Sequence, residues 1–76
     1  MDKYQYYVIV NIYDLKFVDQ RGYGVSKIKD ARKFLTYESA KQELETFDEP
    51  KDFKIYLAEE RVEVDFELME SEDKQW

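Results

Sequence analysis

The sequence contains no cysteine and no histidine, and these two absences narrow the chemistry that it can support. Without cysteine there are no disulfides and no thiolate metal sites. Histidine and cysteine are also the side chains that most often exchange protons or attack substrates near neutral pH. A carboxylate pair would need burial to separate its two pKa values, and the acids here follow the polar side of a strand pattern. We therefore expect a protein that is not an enzyme, with no catalytic residues, no metal and no cofactor.

Glycine, proline and long apolar runs are also scarce. There are two glycines and one proline, and no run of about 18 apolar residues that would be long enough to cross a membrane. The start, "MDKYQYYVIV", begins acidic and lacks the basic start and the small-residue cleavage site of a signal peptide. We expect a cytoplasmic protein without a membrane partner, located in the host cytoplasm if a phage encodes it.

What is present is a chain of 76 residues in which 43% are hydrophobic and 17% aromatic, although 39% are charged. The aromatic content is too high for a disordered chain, and the length leaves room for one modest core. We expect residues 1–70 to form a single small domain and residues 71–76, "SEDKQW", to form a frayed acidic tail.

The first half of the chain predicts a strand and a hairpin. In residues 4–13, "YQYYVIVNIY", β-branched and aromatic residues alternate with period two, which predicts a strand with its even positions facing inward. Gly22 and Gly24 indicate a turn within residues 19–24, leading to a second strand over residues 23–28. The following "KDARKFL" fits either a short strand or an irregular approach to a helix.

A helix is predicted over about residues 37–47. Thr36 is a good N-cap, and an apolar stripe recurs at helical spacing up to Pro50, which ends the pattern. We expect Leu44 and Phe47 to be buried against the sheet. The stripe consists of Tyr37, Ala40, Leu44 and Phe47.

The last third predicts one or two further strands. Apolar residues occupy odd positions in 53–57 but even positions from Val62 onward, so residues 58–61 should form a turn, a bulge or a bend. "AEER" lacks the Gly or Asn of a tight hairpin, which favours one long kinked strand over a hairpin. The fold class is therefore α+β, an antiparallel sheet of three to five strands with one helix packed on one face.

Charge is unevenly distributed along the chain. The net charge is −6, but residues 1–41 carry eight basic and five acidic residues, whereas residues 42–76 carry four basic and thirteen acidic ones. The overall sign disfavours direct nucleic-acid binding, and the asymmetry points to a protein partner with a basic surface.

The acidic residues alternate with apolar ones in "EERVEVDFELMESED". On an extended strand Glu63, Asp65 and Glu67 would project on one side every 6.7 Å or so, twice the strand rise, like the phosphates of a nucleic acid. A solubilising role at an exposed strand edge is the simpler interpretation, and a calcium site is disfavoured by the spacing. The candidate partner-binding acids are Glu59, Glu60, Glu63, Asp65, Glu67 and Glu70.

Two alternative surfaces remain open. Basic residues beside Tyr23 and Phe34 fit a weak nucleic-acid binder or a contact with the chain's own acidic end. Tyrosines are enriched at interfaces, so the exposed tyrosines and the sheet edges could instead form a homodimer. The basic candidates are Lys27, Lys29, Arg32 and Lys33. The tyrosine candidates are Tyr4, Tyr6, Tyr7, Tyr13 and Tyr56.

A Tyr-rich first strand, a Gly-containing turn, "ARKFLTYESAKQEL" and "DFKIYLAEERVEV" follow one another in this order. The pattern resembles small proteins carried by phages and mobile elements of Gram-positive bacteria. The resemblance implies a protein that binds and blocks a host protein, such as RNA polymerase or a restriction or CRISPR nuclease, and it assigns no functional residue. We expect a small acidic inhibitor of this kind, acting by nucleic-acid mimicry.

Overall fold

The structure, a computed structural model, describes residues 3–61 and 66–70 of the chain, with side chains from Tyr4 to Glu60. Five antiparallel strands form one sheet in the order β3-β2-β1-β4-β5. The described residues also contain one α-helix, so the predicted α+β class is confirmed. The elements are β1 (Lys3–Asn11), β2 (Phe17–Val18), β3 (Gly24–Val25), a 3₁₀ turn (Ile28–Asp30), α1 (Tyr37–Leu44), a second 3₁₀ turn (Pro50–Asp52), β4 (Phe53–Arg61) and β5 (Phe66–Glu70).

The central strand β1 pairs along its whole length with β4, from Lys3 opposite Arg61 to Asn11 opposite Phe53. Successive residues on these strands point to opposite faces, so odd and even positions build two separate apolar clusters. α1 covers the odd face, where Ala40 is fully buried and allows the helix to approach closely. This cluster contains Ile9, Val18, Phe34, Ala40 and Ile55, with Tyr7, Tyr37, Leu44, Phe47 and Phe53 packed against it.

The even positions of β1 face inward, as predicted, but the prediction missed that the odd positions also face a core. The segment that begins with the Ile28–Asp30 turn lies across the even face and supplies Ile28 and Ala31 to its cluster. A strand in a sheet that is covered on both faces needs apolar residues at both odd and even positions, and the tyrosine-rich β1 has them. The second cluster contains Tyr6, Val8, Val10, Ile28, Ala31 and Ala58, with Phe17 and Tyr56 packed against it.

Two turns connect the first three strands. The predicted turn at residues 19–24 is confirmed between β2 and β3, and Gly22 has the positive φ of +90° that favours glycine. A Cβ on Gly24 would instead lie 3.2 Å from the Cβ of Lys16, so this glycine permits a close approach. The β1–β2 turn was not predicted, because its positive-φ residue is Leu15 rather than glycine.

The connection from β3 to α1 resolves the ambiguity of "KDARKFL". It is irregular after the 3₁₀ turn, except that Phe34 and Tyr7 exchange backbone hydrogen bonds of 2.7 and 2.9 Å. Phe34 therefore lies along the side of β1 opposite to β4. The predicted second strand is shorter than expected and ends at Val25.

The helix begins where predicted, because the Ser39 amide donates a 3.1 Å hydrogen bond to Oγ1 of Thr36. It ends at Leu44 rather than near Phe47. The Thr46 hydroxyl donates to the carbonyl oxygen of Glu43 at 2.7 Å, a local bond that competes with helix continuation. Leu44 and Phe47 are only partly buried, although both pack against the odd-face cluster, with the rings of Phe47 and Phe53 4.9 Å apart.

The prediction of one kinked strand in the last third is wrong. Residues 58–61 lie inside β4, and β5 pairs antiparallel with β4 from Tyr56 opposite Glu70 to Glu60 opposite Phe66. The chain therefore reverses between Arg61 and Phe66, and residues 62–65 lie outside the described residues. The change of apolar parity reflects the two strands. In β4, Phe53 and Ile55 at odd positions belong to the cluster under α1. In β5, Phe66 and Leu68 are paired with the even positions Glu60 and Ala58.

Candidate functional site

The strand β5 forms one edge of the sheet. It pairs with β4 on one side, and no strand in the described part of the chain pairs with its other side. An edge strand presents a row of N–H and C=O groups that can hydrogen-bond to an additional extended segment. With five residues, Phe66–Glu70, this edge is long enough to accept such a segment.

Acidic residues lie on both β5 and the neighbouring end of β4. Glu59 is the backbone partner of Glu67, and Glu70 is the partner of Tyr56. Glu59 and Glu67 occupy odd positions of the paired strands and Glu60 and Glu70 occupy even positions, so the acidic positions are divided between the two faces of this part of the sheet. We call Glu59, Glu60, Glu67 and Glu70 the acidic edge.

The predicted acids do not all lie on one strand, because β4 ends at Arg61 and β5 begins at Phe66. Glu59 and Glu60 lie on β4, Glu67 and Glu70 lie on β5, and Glu63 and Asp65 lie outside the described residues. The spacing of Glu63, Asp65 and Glu67 along a single strand therefore stays a prediction.

The two glutamates of β4 differ in accessibility because they point to opposite faces. Glu59 is only 7% exposed, and one of its carboxylate oxygens accepts a 3.3 Å hydrogen bond from Nε2 of Gln5. Glu60 is half-buried on the other face. Glu59 is therefore a structural residue within the acidic edge, and Glu60 is the glutamate of β4 that a partner can reach.

Tyr4 extends the acidic edge onto a third strand. It is the backbone partner of Glu60, which in turn is the partner of Phe66, so these three positions form a row across β1, β4 and β5. The Tyr4 side chain is 63% exposed. An exposed aromatic ring next to carboxylates can pack on the aliphatic part of a lysine or arginine and contact its charge.

The remaining tyrosine candidates are dispersed. Tyr13 is exposed in the β1–β2 turn, at the opposite end of β1 from Tyr4. Tyr7 and Tyr56 are half-buried, and the Tyr7 ring makes an edge-on contact of 6.0 Å with Tyr37. These tyrosines do not form one surface.

Tyr6 is a core residue rather than a surface contact. Its side chain is 5% exposed, the Lys33 Nζ lies 5.5 Å from its ring centroid, and its hydroxyl has no hydrogen-bond partner among the described residues. Burial raises the pKa of the Tyr6 hydroxyl, and the nearby Glu60 carboxylate raises this pKa further. The phenol is therefore held in its neutral form.

Two of the four basic candidates are engaged within the chain. Lys33 Nζ donates to the carbonyl oxygens of Ile28, Lys29 and Ala31 at 3.2–3.4 Å. The Arg32 guanidinium lies 3.5 Å from a Glu43 carboxylate oxygen and 4.7 Å from the ring centroid of Phe34. These contacts hold the 28–34 segment in place on the even face and beside α1.

Three of the four basic candidates are exposed, Lys27, Lys29 and Lys33, and of these three Lys33 is the one bonded to backbone carbonyls as described above. Lys29 lines an open groove of about 640 Å³ between the 3₁₀ turn and the β2–β3 turn, together with Asp19, Arg21 and Lys33. Phe34 is buried, so the aromatic residue expected beside these cations is not available for stacking on a base. We call Arg21, Lys27, Lys29, Arg32 and Lys33 the basic edge.

Asp19 organises the β2–β3 turn, a role that was not predicted. Its side chain accepts hydrogen bonds of 2.9 Å from the backbone amides of Arg21 and Tyr23, and the Arg21 guanidinium lies 3.5 Å away. The pKa of the Asp19 carboxyl is lowered, first by the Tyr23 amide and then by the Arg21 amide and guanidinium, against an opposing effect of burial. An Asp three residues before a Gly in "DQRG" is a turn signal that could have identified it.

Among residues 3–61 and 66–70, no group of three or more acidic residues is arranged to hold a metal ion. In the same part of the chain, no helix has the length and apolar character needed to cross a membrane. Comparisons with protein-family models, curated proteins and solved structures gave no match.

Proposed function

We propose that this protein is a non-enzymatic binding module that holds a basic, extended segment of a protein partner against its acidic edge. The observation that supports this proposal is the position of Glu60, Glu67 and Glu70 on and beside an edge strand whose outer side is unpaired among the described residues. The open strand edge favours an extended segment as the ligand, and the local excess of carboxylates favours a basic one.

The proposed mode of binding is the addition of a strand to the sheet. Main-chain hydrogen bonds to β5 give affinity that depends little on sequence, and side chains at alternate positions give specificity. Lysine or arginine at those positions would lie close to the carboxylates of the acidic edge. Residues 59–70 contain six acids and one arginine, so the charge complementarity with such a segment is strong.

Nucleic acid is a poorer ligand for this molecule than protein. Phosphates would be repelled by the acidic edge, and the basic edge has Lys33 bonded to backbone carbonyls and Arg32 paired with Glu43. A nucleic-acid site typically combines several free cations with exposed aromatic rings. Phe34 is buried, which leaves Tyr23 as the exposed ring nearest to the basic residues.

The resemblance to small phage and mobile-element proteins suggests what such binding would accomplish. A host protein that binds nucleic acid has a basic surface, and an acidic module seated on that surface would exclude its natural ligand. We therefore propose that the partner is a nucleic-acid-binding protein that is inhibited by occlusion. The acids would then compete with phosphates through their charge.

The binding proposal can be tested with a synthetic peptide that alternates Lys and Val. We expect saturable binding that weakens as salt is raised, since the Debye length falls from about 10 Å at 0.1 M to about 3 Å at 1 M. The triple variant Glu60→Gln, Glu67→Gln, Glu70→Gln should bind more weakly and show a smaller salt dependence. Equal affinity and equal salt dependence for the wild type and this variant would contradict the proposal.

Two controls separate charge from strand addition. The variant Glu38→Gln, Glu45→Gln, Glu49→Gln removes three negative charges from exposed positions on and after α1 and should bind the peptide nearly as the wild type does. A peptide of the same charge in which Val is replaced by Pro has no N–H donor at every second residue and fits a strand ladder poorly, so it should bind more weakly. Equal binding of both peptides would show that the contact is electrostatic only.

A further inference from the structure

The two edge strands of the sheet belong to segments of opposite charge. Residues 16–35, which include β2 and β3, contain six basic and two acidic residues, a net charge of +4. Residues 59–70, which include β5, contain one basic and six acidic residues, a net charge of −5. The strand order places β3 at one edge and β5 at the other.

The distance between the two edge strands allows Lys27 and Lys29, which follow β3, to act independently of β5 at moderate salt, whereas Lys33 lies over Tyr6 in β1, near Glu60. Four strand spacings of about 4.8 Å separate β3 from β5, about 19 Å in total. This separation exceeds the Debye length of about 8 Å at physiological ionic strength. The net charge of −6 therefore does not abolish the local attraction of the basic edge for an acidic surface.

Both edges are also accessible in the described part of the chain. β3 and β5 each pair with one neighbouring strand there, and Lys27 and Lys29 are exposed. A surface that is acidic at one edge and basic at the other is complementary to a second copy of itself in a head-to-tail orientation. Such a contact joins two different surfaces. The assembly therefore has a free acidic edge at one end and a free basic edge at the other, where further copies can bind.

We infer that the protein self-associates head to tail, with the acidic edge of one copy docked on the basic edge of the next. This inference rests on the proposed function, because it names a second copy of the chain as a basic partner of the acidic edge. The short β3, Gly24–Val25, offers few backbone groups for strand pairing, so charge carries most of the contact. The association is therefore concentration-dependent and sensitive to salt.

Two variants that each remove one surface provide the test by sedimentation velocity at about 0.1 M salt, where the Debye length is about 10 Å. The first carries Glu60→Gln, Glu67→Gln and Glu70→Gln, and the second carries Lys27→Gln and Lys29→Gln. Glu59, Arg32 and Lys33 are left unchanged because they are buried or bonded within the chain. The control variant Lys41→Gln, Lys51→Gln removes the same charge from other exposed positions.

We expect the wild type and the control to form species larger than a dimer as concentration rises, and to return to monomer at about 1 M salt. Each edge variant alone should remain monomeric. An equimolar mixture of the two edge variants should form a heterodimer that does not grow further, because only one complementary pair of edges remains. Circular dichroism of each variant checks that the fold is retained.

A wild type that stays monomeric at all concentrations, an edge variant that associates alone, or a mixture that stays monomeric would each overturn the inference. The Lys–Val peptide distinguishes this failure from failure of the proposed function. The Lys27→Gln, Lys29→Gln variant keeps its acidic edge and should bind the peptide like the wild type. Peptide binding by a strictly monomeric wild type would refute self-association and leave the proposed function intact, whereas loss of both would refute both.

Discussion

The two edges of the sheet use their charged side chains differently. At the basic edge, Asp19 organises a turn, Lys33 satisfies three backbone carbonyls and Arg32 pairs with Glu43. At the acidic edge, Glu59 is buried and accepts a hydrogen bond from Gln5, while Glu60 points to the other face and is half-buried. The comparison shows that a count of charges does not identify a binding surface. Charges that already have partners within the chain hold the fold, and the remaining charges are available to a ligand.

The largest effect on the free energy of unfolding is expected for a core residue in β1, the strand that lies between the two edges. Ile9 is 1% exposed at the centre of β1, which separates the basic edge from the acidic edge. Ile9→Ala should lower the free energy of unfolding by about 2–5 kcal/mol through cavity formation. Urea denaturation measures this loss, with Tyr13→Ala as an exposed control that should change stability by less than about 0.5 kcal/mol. Equal effects of the two substitutions would show that β1 is not the shared core.

A smaller effect should distinguish the lysines of the basic edge from one another. Lys33→Gln removes an ammonium group that bonds to three carbonyls and lies over the Tyr6 ring. We expect a loss of about 1–2 kcal/mol in the free energy of unfolding, since charged hydrogen bonds contribute about this much. Lys29→Gln should stay within about 0.5 kcal/mol of the wild type. A larger loss of stability in Lys29→Gln than in Lys33→Gln would contradict the structural role assigned to Lys33.

Tyr6 links the two edges, because it lies below Lys33 and close to Glu60. Tyr6→Phe removes a buried hydroxyl without a partner among the described residues and should raise the free energy of unfolding by about 1 kcal/mol. Tyr4→Phe, at an exposed position, should have little effect. A clear loss of stability in Tyr6→Phe would show that the hydroxyl has an important hydrogen bond.

The same substitution should change the response to alkali. The pKa of Tyr6 is raised in the folded protein, so above the ordinary tyrosine pKa of about 10 the unfolded chain loses this proton first. The wild type should therefore lose stability as pH rises from about 10 toward the raised pKa. Tyr6→Phe should lose less over the same range in parallel denaturation curves.

The smallest effect at neutral pH is expected for Asp19→Asn. The amide oxygen can still accept the backbone amides of Arg21 and Tyr23, so the turn should be retained. The pKa of Asp19 is lowered in the folded protein, so its charged carboxylate stabilises the fold above the usual Asp pKa of about 3.9. The wild type loses this stabilisation as the pH falls from about 3.9 through the lowered pKa. The variant should show a weaker dependence of stability on pH in this range. Identical acid profiles would show that the Asp19 charge does not contribute.

Sequence patterns predicted the elements whose local signals agree with their tertiary contacts. Thr36 and the stripe containing Ala40 predicted α1, and Gly22 predicted the β2–β3 turn. The end of the helix at Leu44, before Phe47, has no comparable signal in the sequence. The β1–β2 turn was missed because Leu15 has a positive φ that sequence rules assign to glycine.

The acidic edge was predicted by composition but not by geometry. The alternating pattern of "RVEVDFEL" is compatible with one strand or with two strands on either side of a reversal, because both keep the period of two. The pairing of Glu59 with Glu67, and the separation of accessible Glu60 from buried Glu59, depend on register. Register is set by contacts between strands distant in sequence, such as Gln5 with Glu59, which no local pattern encodes.

The most direct test of the account is the location of a bound basic segment, measured by amide hydrogen exchange of the protein with and without the Lys–Val peptide. The account predicts that protection increases along β5, Phe66–Glu70, and at Glu60, with little change around Lys27 and Lys29. Mutation of Glu60, Glu67 and Glu70 to Gln should reduce this protection. Protection centred instead on the β1–β2 turn or on the basic edge, with β5 unchanged, would contradict the account.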